Sequence, residues 1–68
     1  MEKGWAIAYT TNQVYQANIF QEVLRDHGIE AQIINKMDSS YHSFGEIEVY
    51  VPDSKILIAK KLAEEFEK

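Results

Sequence analysis

Ile33-Ile34-Asn35-Lys36-Met37-Asp38-Ser39-Ser40-Tyr41-His42-Ser43-Phe44-Gly45-Glu46-Ile47-Glu48-Val49-Tyr50-Val51 reads as the end of one strand, a polar loop and a second strand. From Ile47 to Val51 apolar and polar residues alternate, which is the period of a half-buried strand. Ile47, Val49 and Val51 share one face; Glu46, Glu48 and Tyr50 share the other. The loop from Asn35 to Gly45 gathers the polar side chains that no helix face explains. The rest of the chain is scaffold for this hairpin.

Upstream, Ile29 to Asn35 forms the strand that enters the loop, with Ile29, Ala31 and Ile33 on one face and Glu30, Gln32 and Ile34 on the other. Gly28 precedes it and suits the left-handed position just past a helix end, with Leu24 and Ile29 spaced for the accompanying hydrophobic contact. That helix runs to near His27. Residues placed 100° apart put Ala17, Phe20, Val23, Leu24 and His27 on its inner side. At its start, Thr10 and Gln13 have capping-box spacing, and Asn12 is an equally good N-cap. Trp5 to Thr10 is the first strand, with Trp5, Ile7 and Tyr9 on one face and Ala6 and Ala8 on the other.

Downstream, Pro52 ends the hairpin's second strand because it has no N–H for the ladder. Asp53 or Ser54 caps a last helix whose apolar face collects Ile58, Ala59, Leu62, Ala63 and Phe66. The order is β-α-β-β-α. A right-handed β-α-β crossover leaves room for the third strand between the first two. The expectation is an α+β domain over residues 1–68, a ferredoxin-like split β-α-β. Its antiparallel sheet has order 2-3-1, with two helices on one face and a free edge on the first strand.

Sixty-eight residues without cysteine have no disulfide or thiolate metal site to reinforce them. A chain of this size buries only roughly 60% of its unfolded surface, so association with a twin or another protein is expected. The net charge of −4 opposes a nucleic-acid footprint. Stacking of bases on Tyr9 and Tyr50 is rejected as well, because Glu46 and Glu48 would repel phosphate. No apolar run approaches the roughly 20 residues of a membrane helix. Met1 to Trp5 lacks a signal-peptide apolar region, which points to the cytoplasm.

Gly4-Trp5, Tyr9-Thr10-Thr11-Asn12 and Tyr15-Gln16-Ala17 form part of a recognisable set. It continues with Ile34-Asn35-Lys36, Asp38-Ser39-Ser40-Tyr41 and Phe44-Gly45-Glu46-Ile47-Glu48-Val49-Tyr50-Val51. Together these runs resemble the bacterial "putative signal-transducing protein" family, over nearly the whole chain. The resemblance implies a fold similar to that of nitrogen-regulatory PII proteins and a bacterial, cytoplasmic setting, with no established activity. The chain lacks the long nucleotide-gripping loop of PII proteins, so no ATP-site residues carry over.

The candidate ligand-binding residues are Asn35, Lys36, Asp38, Ser39, Ser40, Tyr41, His42 and Gly45. Serine hydroxyls, a lysine and backbone N–H groups can hold a small anion, although the same residues also make a solvated turn. The candidate interface is Trp5, Ile7, Tyr9, Ile34 and Tyr50. If Ala6 and Ala8 lie beneath the helices, these five share the open sheet face in a patch large enough to expect a partner. His27, His42 and Asp38 match no metal-ligand spacing, and no cofactor motif is present.

The reading is a non-enzymatic regulatory or signalling-type binding module, a homodimer or the partner of another protein, with a possible small-molecule ligand. Two alternatives stand beside it. One is a small hydrolase or transferase using Ser40, His42 and Asp38, whose mutual geometry nothing in the sequence fixes. The other is a passive accessory domain that pairs through its first strand.

Overall fold

The computed structural model describes residues 4–36 and 47–67. The elements follow the expected order: β1 (Trp5–Thr11), α1 (Val14–Asp26), β2 (Gln32–Asn35), β3 (Ile47–Pro52) and α2 (Ile56–Glu67). A 3-10 turn, Asp53–Lys55, leads into α2. β3 lies between β1 and β2 and is antiparallel to both. The split β-α-β order therefore holds, and β1 and β2 form the two edges.

The helix face of the sheet carries the core. Ile47, Val49 and Val51 of β3 are buried with Ala17, Phe20 and Leu24 of α1, Ala59 and Ala63 of α2, Ala8 and Ile29. The two alanines of α2 let that helix approach the sheet closely. Ile56, Leu62 and Phe66 flank them. Ile58, expected in this stripe, is 52% exposed, because it stands a full 100° step behind Ala59 at the stripe's margin.

α1 ends as its sequence dictates. Gly28 takes φ 73°, the Gly28 N–H donates to the Arg25 carbonyl at 2.9 Å, and the Ile29 N–H donates to the Leu24 carbonyl at 2.9 Å. This is the Schellman arrangement, and it buries Ile29 against the core. The start of α1 differs from expectation. Neither Thr10 nor Asn12 is the N-cap: Gln13 occupies that position without a side-chain cap bond, and the Thr11 hydroxyl accepts the Gln13 N–H at 3.1 Å. β1 runs one residue further than predicted, and Thr11 closes the turn from its end. β2 is shorter than predicted, because residues 29–31 descend from the helix cap without ladder pairing. Gln21 Nε2 instead donates to the Ala31 carbonyl at 3.0 Å.

β1 carries the feature that strand alternation missed. Ala6 pairs with Val51 and Ile7 with Tyr50, but Tyr9 pairs with Val49, so Ala8 is an extra residue in a β-bulge. Before the bulge, Trp5 and Ile7 lie on the face that no helix covers. After it, the alternation is reset and Tyr9 turns to the helix side. Its ring packs on Phe20 and Phe66, with centroids 5.0 and 5.7 Å away, and those two rings lie 5.4 Å apart. Placing Tyr9 on the open face is thus corrected. Ala8, with a side chain small enough to be buried at the bulge, permits the switch.

Candidate functional site

The site is built on the sheet face away from the helices. Because paired residues of antiparallel strands point to the same side, the register places Ile7, Tyr50 and Gln32 in one row and Thr10, Glu48 and Ile34 in the next. Trp5 stands opposite Pro52 at one end. Lys36 follows Ile34 by two residues, at the root of the hairpin.

Three polar groups meet on this face. Tyr50 Oη donates to Glu48 Oε1 at 2.9 Å, and Lys36 Nζ lies 3.1 Å from the same oxygen. The Glu48 side chain is only 15% exposed, whereas that of Lys36 is 57% exposed. A carboxylate so enclosed needs both donors to replace its lost hydration. Tyr50 is 8% exposed yet does not belong to the helix-side cluster, so it is buried on the opposite face.

This geometry sets the chemistry. The hydrogen bond to Glu48, then burial, then the Glu48 charge raise the Tyr50 phenol above its usual pKa of 10.0, with Lys36 acting the other way. Tyr50 is therefore a neutral donor at physiological pH and the opposite of an activated nucleophile. The cluster brings together an ammonium, a shielded carboxylate and a phenol beside Trp5, Ile7 and Ile34. Ile7 is 38% exposed, and Trp5 and Ile34 are half-buried.

The sequence-predicted residues distribute unevenly. Asn35 and Lys36 are exposed where β2 enters the hairpin. Asp38, Ser39, Ser40, Tyr41, His42 and Gly45 lie outside the described residues. Trp5, Ile7, Ile34 and Tyr50 share the open face, and Tyr9 does not. The link between Lys36, Glu48 and Tyr50 was missed. Alternation shows that Glu48 and Tyr50 share a face, but only the β2–β3 register brings Lys36 to Glu48.

Two other places among the described residues carry less chemistry. Among the described residues, no group of three His, Asp or Glu side chains could hold a metal ion, and His27 Nδ1 lies 2.9 Å from the Val23 carbonyl at the end of α1. A groove of about 380 Å³ lies between Gln21, Arg25, Gly28, Ile29, Glu30 and Ala31. It follows from the tight helix-to-strand connection, where Gln21 is spent on the Ala31 carbonyl and Arg25 pairs with Glu22 at 3.4 Å. No set of functional groups converges there. Among the described residues, no helix is long and apolar enough to cross a membrane.

A family model described as "Putative prokaryotic signal transducing protein" matches residues 5–67. Neither the comparison with curated proteins nor that with solved structures gives a match.

Proposed function

The chain belongs to that prokaryotic signal transducing family, and from this premise we propose that it is a non-enzymatic binding module whose contact surface is the open sheet face. The family is named for signal transduction and not for a reaction. One observation carries the reading. On the side without helices, the register sets Trp5, Ile7 and Ile34 around a shielded Lys36–Glu48–Tyr50 cluster. Apolar rings and chains with a few fixed polar groups are what recognition surfaces use.

The hairpin root lies on the same face, since Lys36 leaves β2 immediately before residues 37–46 and Glu48 is the second residue after them. A protein partner or small anion that engages Lys36 competes with Glu48 for its ammonium. Its capture would alter the cluster on the sheet.

The test compares wild type, Ile34→Glu and Leu57→Glu as baits in quantitative affinity capture from a bacterial lysate, with circular dichroism to establish folding. Leu57 is 83% exposed on a helix and serves as the surface control. Partners retained by wild type and Leu57→Glu but depleted at least about tenfold by Ile34→Glu support the proposal, a loss of about 1.4 kcal/mol. Equal retention by all three overturns it.

A further inference from the structure

β1 and β2 are both edge strands, but they are protected very differently. β2 has four residues and is framed by Glu30 and Lys36. Shortness and flanking charge are the usual devices that keep an edge from pairing with another chain. β1 has seven residues and no charge or proline, and the whole stretch from Gly4 to Gln21 lacks a charged side chain. Lys3 precedes β1 in the sequence at the spacing at which Glu30 precedes β2, and the bulge at Ala8 divides the edge into Trp5–Ile7 and Tyr9–Thr11. Among the described residues no strand pairs with its outer side.

We propose that the outer edge of β1 is a pairing surface and that its occupant is a second copy of this chain, joined β1 to β1 across a two-fold axis. Charge selects this occupant. The chain carries a net −4, which opposes self-association wherever like charges come within a Debye length, about 8 Å at physiological salt, and the uncharged run from Gly4 to Gln21 is where two copies meet at the lowest cost. A neutral strand opposes itself antiparallel without setting like charges together, whereas it gives a charged partner nothing to recognise.

The helix layer supplies a second observation. α2 packs over β1 and makes little contact with β2, and its first turn exposes Ile58 at 52% on the flank of its buried stripe. A two-fold axis normal to the sheet at the β1 edge places the two α2 helices side by side on the same face. Apolar groups on both helices then flank the seam. The joined six-stranded sheet leaves the open faces uncovered, so this dimer is independent of the contact surface proposed above.

The experiment is sedimentation velocity with native mass spectrometry on the full chain at micromolar concentration. Wild type is expected as a dimer of two 7.9 kDa chains. Ile7→Lys and Thr10→Lys set like charges across the axis and are each expected to weaken the dimer at least about tenfold. Ile34→Lys, on the same face but on β2, is expected to leave it unchanged. Circular dichroism establishes that each variant is folded, and Thr10→Lys, at an exposed position, carries the test if Ile7→Lys unfolds. A monomeric wild type overturns the proposal. Equal weakening by Ile34→Lys also overturns it, by showing that copies meet face to face. A monomer would leave the capture experiment on the open face standing.

Discussion

Ile7 and Tyr9 stand two residues apart on β1, so plain alternation makes them equivalent and the bulge at Ala8 makes them opposite. Alanine at each position separates the two cases. Tyr9→Ala removes a half-buried ring packed on Phe20 and Phe66 at 5.0 and 5.7 Å. A fully buried aromatic side chain covers about 150–250 Å². Half of that at about 25 cal/mol per Å² is about 2–3 kcal/mol. Loss of two ring pairs adds about 0.5–1.5 kcal/mol each. The sum is about 3–6 kcal/mol, against about 3–5 kcal/mol for large-to-small aromatic changes in general. A domain of this length has a total stability of only about 3–10 kcal/mol, so Tyr9→Ala leaves it marginal or unfolded. Ile7 is 38% exposed and lies outside the core cluster, so Ile7→Ala should cost less than about 1 kcal/mol. Urea titration, followed by circular dichroism and the fluorescence of Trp5, measures both. With a slope near 1 kcal/mol/M, the Tyr9→Ala midpoint falls by about 3 M and the Ile7→Ala midpoint by less than about 1 M. Costs equal within about 0.5 kcal/mol would refute the reasoning, because they would mean that both side chains lie on one face.

Further outcomes follow from single contacts. Gly28→Ala should cost about 1–2 kcal/mol in the same titration, because an added Cβ meets nothing within 4 Å and the whole penalty is the left-handed φ of 73°. Tyr50→Phe removes one donor from the shielded Glu48 and should lower stability at neutral pH. The Tyr50 phenol is raised in the fold, so the unfolded chain loses this proton first as pH climbs past 10.0. The stability Tyr50 contributes is therefore complete below that pH and falls as pH rises toward the folded pKa. Wild type minus Tyr50→Phe, in thermal melts and in ultraviolet titration of phenolate, measures the effect; a Tyr50 that titrates below 10.0 contradicts it. Lys36→Met should cost about 1 kcal/mol, since its side chain is 57% exposed and solvent screens its pair with Glu48. A double-mutant cycle with Glu48→Gln should return a coupling of the same size.

Local chemistry made much of this fold legible. The apolar spacing of Ala17, Phe20 and Leu24, the glycine at position 28 and the alternation from Ile47 to Val51 each act within one or two turns of chain. Periodicity and backbone freedom are properties of short segments, so the element order and the sheet order could be read from them. The open face was legible in part. Trp5, Ile7, Ile34 and Tyr50 were placed on it by alternation, and Tyr9 was misplaced because alternation cannot register an inserted residue.

By itself, then, the sequence determined two amphipathic helices, three strands, their order and the uncharged character of the first strand. The tertiary structure alone decided the bulge at Ala8, the inward turn of Tyr9 and the meeting of Lys36 with Glu48 and Tyr50. The physical reason is distance along the chain. β1 meets β3 about forty residues later, and a register shift of one residue moves a side chain from one face to the other. No local period contains that information.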